Sequence, residues 1–232
     1  MKRKRNRKNR FQGIAVLLIC VIGYVFSAVY DTGTQDVPFD YSQIEEWDES
    51  ESYQIINNNI PYFTDEQMEM EPFEEYQPLD ELGRTQYAMA MLDASMFPDE
   101  PRGSIGMIRP SGWQTVRYDD LIDGNYLYNR CHLIAYMLSG QNDNPLNLIT
   151  GTRYMNVEGM LPWEMLVHDH IESTGDRVLY RVTPVYLGDE LVGRGVLMEA
   201  ESQDGTLSFC VFVYNVQPGI EIDYTDGTSR VK

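Results

Sequence analysis

The first pattern along the chain is a sharp break: ten residues crowded with Lys and Arg, then Phe11 to Tyr30 without a single charge. A helix of that length rises about 30 Å, the thickness of a bilayer's hydrocarbon core. Residues 1–10 are therefore predicted to be a basic cytoplasmic n-region and 11–30 a transmembrane signal-anchor, with the remainder outside. A cleaved signal peptide is the competing reading. The run is longer than the usual apolar segment of such peptides, and Phe26-Ser27-Ala28 makes a poor cleavage site. Next comes an acidic linker, 31–52, and residues 31–78 as a whole carry 14 acids, no basic residue and four prolines. Self-repulsion and low apolar content predict an extended, solvated stalk over 31–50, with part of 53–63 packing on a domain.

From residue 79 the pattern is mixed. Asp80 to Met96 reads as a helix, with Asp80 as N-cap and a stripe of Leu82, Ala88, Met91 and Leu92. Ile105–Arg109 and Thr115–Tyr118 read as short strands around a Pro110-Ser111-Gly112 turn. Tyr126–Ile134 is predicted to be a strand, and about 152–172 to be mainly helical, kinked or broken near Gly159 and Pro162. Val178–Leu187, Gly193–Ala200 and Leu207–Val216 are three further strands. The turns between them, at Gly188-Asp189-Glu190 and Asp204-Gly205, make neighbours antiparallel. The fold class is α+β, with a mainly antiparallel sheet and flanking helices.

Composition narrows the function. The net charge is −18, yet seven of the 18 basic residues fall in the first ten positions. Residues 79–232 hold 22 acids against 11 basic residues. Such a domain has little long-range attraction for a polyanion, which excludes a basic DNA-coating protein. Three cysteines, one inside the apolar run, exclude a disulfide scaffold. A Cys131–Cys210 bridge remains the minor alternative to two buried thiols.

The chemistry-bearing residues gather in two places. In Tyr128-Asn129-Arg130-Cys131-His132, strand parity puts Arg130 and His132 on one side and Cys131 on the other. That argues against a Cys–His dyad and for a surface able to meet a phosphate. In Thr150 to Glu164, Arg153 and Asn156 stand three apart, neighbours on a helix face. The bland alternatives are a packed histidine and a polar helix face. His168-Asp169-His170 is a poor zinc site, because residues two apart on a helix diverge.

Together, Asn-Arg-Cys-His with Leu-Ile, followed by Asn-Leu-Ile-Thr-Gly-Thr-Arg-Tyr-Met-Asn, resemble the DNA/RNA non-specific endonucleases of the ββα-metal superfamily. That signature is Asp-Arg-Gly-His, a downstream Asn, and a Glu eight residues later; Asn129 and Cys131 are the departures. The resemblance spans roughly 53–232, the expected endonuclease domain, with an embedded ββα-metal motif. It implies His132 as general base, Asn156 as ligand of Mg²⁺ (or Mn²⁺), and Glu164 holding a metal-bound water. It also suggests Arg109 for charge stabilisation and Arg130 and Arg153 as phosphate contacts, with Arg117 and Arg102 as rivals. Asn129 belongs to the shell that supports the base. The substrate would be DNA and also RNA, the membrane the only other partner. A catalytically weak or inactive surface-anchored nucleic-acid binder on the same fold is the alternative.

Overall fold

The computed structural model describes residues 39–232, so the n-region, the signal-anchor and residues 31–38 lie outside the described residues. Among the described residues no helix is long and apolar enough to cross a membrane. The elements, in chain order, are β1 (Tyr53–Ile55), α1 (Asp65–Met68), β2 (Phe73–Tyr76), β3 (Ala88–Leu92), β4 (Tyr128–His132), α2 (Tyr136–Ser139) and β5 (Leu148–Thr152). They continue with α3 (Leu161–Thr174), β6 (Val178–Val185), β7 (Gly195–Ser202), β8 (Ser208–Tyr214), β9 (Ile220–Ile222) and β10 (Ser229–Val231).

Six strands form one antiparallel sheet in the order β1-β8-β7-β6-β3-β2. The three strands predicted from 178 to 216 are β6, β7 and β8, antiparallel as the turns between them required. Alternation along the strands builds two faces. Ala88, Ala90, Tyr180, Val182, Val196, Met198, Val211 and Val213 turn toward Cys131, Leu138, Met155, Val167 and Ile171, forming the main core. On the other face, Met89, Met91 and Leu179 pack under Phe63 and Met68. There the register partners Arg181 and Glu199 make a buried bidentate pair, at 2.7 and 3.0 Å. Glu199 also accepts from the Tyr62 amide at 2.8 Å, which fastens the covering segment over the sheet.

Three sequence expectations change. The helix over 80–96 does not form: Asp80 caps a tight turn by accepting from the Leu82 and Arg84 amides, and 88–92 is a strand between β2 and β6. Ala-Met-Ala-Met-Leu is buried on both faces, so it lacks the alternation that marks a half-exposed strand. Residues 105–109 and 115–118 form loop, with a single bridge between Arg117 and Tyr126. The stalk is no free spacer from residue 40 onward. Tyr41 stacks edge-on against Phe212, Trp47 packs on Tyr154, and the Ser52 hydroxyl donates to the Glu158 carbonyl.

β4 and β5 pair antiparallel as a separate ribbon, leading into the long helix. The expected break near Gly159 and Pro162 takes a specific form. Met155–Met160 is a π turn, with the Leu161 amide donating to the Asn156 carbonyl, and the regular helix then runs from Leu161 to a C-cap at Gly175. Pro162 has no N–H to continue the ladder behind it, and Gly159 lies against Val213, where a Cβ would collide.

Candidate active site

β4 turns the His132 side chain into a cavity of about 250 Å³, whose walls include Arg102, Asn156 and Glu164. The histidine is only 6% exposed. Its Nε2 lies 2.8 Å from the Asn142 carbonyl oxygen. A carbonyl can only accept, so Nε2 carries the proton and Nδ1 keeps a lone pair. An Arg102 guanidinium N–H, 3.2 Å away, donates to Nδ1. Burial, aided by the Arg102 charge and opposed by the Asn142 hydrogen bond, lowers the ring's pKa to about 4. The ring is therefore neutral, as a proton acceptor must be.

The loop that fixes this tautomer is itself held by a buried amide. Asn147 accepts from the Ile134 amide at 2.8 Å and donates to the Ile134 carbonyl at 2.9 Å, turning the chain after β4. The loop bearing Arg102 is tied at its base by the Tyr136 hydroxyl, 2.7 Å from the Glu100 carbonyl oxygen.

Asn156 projects from the π turn and makes no side-chain hydrogen bond among the described residues. Its amide oxygen is thus a free hard donor, the kind Mg²⁺ accepts. Glu164, in the first turn of α3, is 8% exposed and has no hydrogen-bonding partner of its own there. Burial raises its carboxyl to about 8 against the nearby Arg102 charge, which acts to lower it. An unpartnered amide oxygen and an unpartnered buried carboxyl beside one cavity fit a hydrated divalent cation.

A second cavity of about 540 Å³ shares Arg102 and Asn156 with the first and continues past Arg109, Asn129, Arg130 and Arg153. Arg109 and Arg153 are exposed or half-exposed; Arg153 also reaches Asp123 at 3.5 Å. Arg130 is partly spent on structure. Its guanidinium donates to the Ile108 and Gly106 carbonyls and lies 3.9 Å from the Trp113 ring centroid. Arg117 stands outside this lining, bound to Asp119 at 2.6 Å. Asn129 does not touch the base, since both ring nitrogens of His132 are engaged by Asn142 and Arg102.

Cys131 points into the core as parity required, and Cys131 and Cys210 are both free, buried thiols. Burial pushes the Cys131 thiol far above its usual range, which removes it as a nucleophile. A Cβ at Gly151 would collide with the Cys131 sulfur and the Met155 methyl, so the missing side chain on β5 makes room for the larger residue in β4. His168 and His170 diverge. His168 stacks on Phe97 at 4.6 Å, while His170 faces Asp176 and Asp204 at 4.0 and 3.8 Å. Sequence reasoning missed Asn142, whose contribution is a backbone carbonyl that any residue type supplies.

A strand ribbon presenting a neutral histidine, followed by a helix presenting an amide and a carboxyl to the same cavity, is the ββα-metal arrangement. The chain belongs to the DNA/RNA non-specific endonuclease family, whose model matches residues 61–204. A deoxyribonuclease of Streptococcus dysgalactiae subsp. equisimilis is 38% identical over 108 residues, 44% of this chain and 33% of that protein. The match thus spans about a third of that relative's length. Solved structures of NucA from Streptococcus agalactiae, without metal and with a magnesium ion, superpose with a TM-score of 0.70 at 29% and 28% identity. Each covers 78% of this chain and 87% of its own. Sda1 nuclease with a bound zinc ion gives a TM-score of 0.67 at 25% identity, over 84% of this chain and all of its own.

Proposed function

We propose that the chain is a metal-dependent endonuclease that hydrolyses phosphodiester bonds of DNA, and of RNA, with little sequence preference, outside the membrane to which residues 11–30 tether it. The observation that carries this is the convergence of a neutral, lone-pair-bearing His132 Nδ1 with Asn156 and Glu164 at one cavity.

His132 Nδ1 takes a proton from the water that attacks phosphorus, and the Asn142 carbonyl holds the ring while its charge develops. Arg102 lies on that nitrogen in the absence of substrate. A phosphate oxygen draws the guanidinium away, which frees the base and places positive charge beside the pentacovalent centre. Asn156 would hold Mg²⁺ or Mn²⁺ directly and Glu164 would accept from one of its waters; such an ion would supply charge compensation for the leaving group. Arg109 and Arg153, further along the groove, hold the flanking phosphates. Arg102 therefore takes the role that the sequence suggested for Arg109.

Plasmid nicking by the full chain tests this with Mg²⁺, with EDTA and with His132→Ala. Nicking should need the metal and fall by about 10²-fold or more in the variant. Cutting that persists in EDTA, or is equal in wild type and variant, removes the proposal.

A further inference from the structure

We propose that the larger groove is a stacking subsite for an unpaired nucleobase, so that the enzyme prefers single-stranded or frayed nucleic acid over intact duplex. This rests on the nuclease reading and names its substrate class.

On a chain of net charge −18, the groove is lined by Arg102, Arg109, Arg130 and Arg153 with no acidic side chain among its lining residues. Arginines alone would bind any phosphate backbone. Three aromatic residues share the lining, however, and beside the buried Tyr128 two rings are open to solvent. Tyr126 is 46% exposed, which is costly for a ring that serves only packing, and Trp113 stands with the Arg130 guanidinium on one face. Arg117 lies against Tyr126, its carbon 5.2 Å from the ring centroid, and Asp119 holds that arginine in place. Guanidinium planes and aromatic rings arranged together are the surface on which single-strand-binding proteins stack successive bases. Met107, on the loop clamped by Arg130, is 70% exposed, and Ile105 of that loop lines the groove. An apolar edge of this kind suits the flat face of a base, not a phosphate.

A duplex hides its base faces inside the helix, where neither ring can reach them. A cavity of about 540 Å³ has the size of an ordinary small-ligand pocket, ~300–1,000 Å³, room enough for one nucleobase. Because Arg102 and Asn156 border both cavities, a base seated on Tyr126 belongs to a nucleotide close to the scissile phosphate.

Tyr126→Leu removes the ring but keeps an apolar side chain, and Tyr126→Phe restores the ring without the hydroxyl. Binding of the full chain to a fluorescein-labelled single-stranded dodecamer and to a hairpin duplex is followed by anisotropy in EDTA, and cleavage of both with Mg²⁺. The leucine variant should bind the single strand about 5- to 100-fold more weakly and show a matching rise in KM at unchanged kcat. Duplex values should move less than twofold, and the phenylalanine variant should stay near wild type. Equal losses on both substrates, or no loss on the single strand, overturn the subsite. A wild type that binds the single strand in this ring-dependent way but never cuts overturns the nuclease reading and leaves the subsite standing.

Discussion

A histidine can act as a base only where one ring nitrogen is already stripped of its proton; at position 132 burial removes it, and a backbone carbonyl decides which nitrogen keeps the other. In EDTA the His132 Cε1 proton should titrate near pH 4 by NMR, well below the usual value near 6.5. The sign of the linked stability follows. The folded pKa lies below the unfolded one, so this contribution is complete above about 6.5 and is lost as pH falls through about 4. Wild-type melting temperature should therefore drop across that window more steeply than that of His132→Gln. The arginines separate in the same way. Arg102→Ala removes a donor at the reacting phosphate and should cost about 10²–10³ in kcat, whereas Arg109→Ala should act mainly on KM. If kinetics show the reverse pattern, the assignment belongs to Arg109 after all. That His132, Asn156 and Glu164 would share one cavity was readable, because a motif's fixed spacing carries them. Arg102 stood only as a rival to Arg109, since it sits on an irregular loop where distance along the chain says nothing about distance in space.

Elements became legible where turn residues and strand-forming side chains agreed. β6, β7 and β8 are as deeply buried as β3, but glycine turns bound them and their Val, Tyr, Phe and Thr residues favour strands, whereas the Ala-Met-Ala-Met-Leu of β3 is made of good helix formers. The loop over 105–118 misled for another reason. Its β-branched residues serve a turn held by Arg130 rather than a strand. The break near Gly159 was foreseen, but its form as a π turn was not, because it depends on how closely β8 approaches. That approach is testable. A methyl at 159 meets Val213 and must push β8 from the turn that carries Asn156, so Gly159→Ala should destabilise the fold by about 1–3 kcal/mol in urea titration. Activity per folded molecule should fall as well, because the Asn156 amide shifts with the turn. A variant as stable and as active as wild type means that the π geometry positions nothing.

At the scale of the whole molecule the difficulty for the proposed activity is charge: a chain at −18 would have to bind and cut a polyanion. Much of the acid is settled away from the cavities in pairs and turns, as with Glu199 beneath Arg181, Asp80 at Arg84 and Glu190 at Arg194. Four arginines converge on a single groove, two of them, Arg130 and Arg153, already engaged by backbone carbonyls and by Asp123. Long-range attraction is then weak and short-range attraction is local, so two salt effects oppose each other. Added salt screens the repulsion between protein and nucleic acid, which aids encounter. It also weakens the few phosphate contacts by making counterion release less favourable. With at most four groove arginines engaged, the slope of log binding constant against log salt should be no steeper than about −4. A basic nuclease covering six to ten phosphates would lie at about −5 to −9. Anisotropy titrations of His132→Ala between 50 and 400 mM salt measure the slope directly. A value steeper than −5 would mean that nucleic acid spreads over surfaces well beyond this groove, and that the one-groove account of binding is wrong.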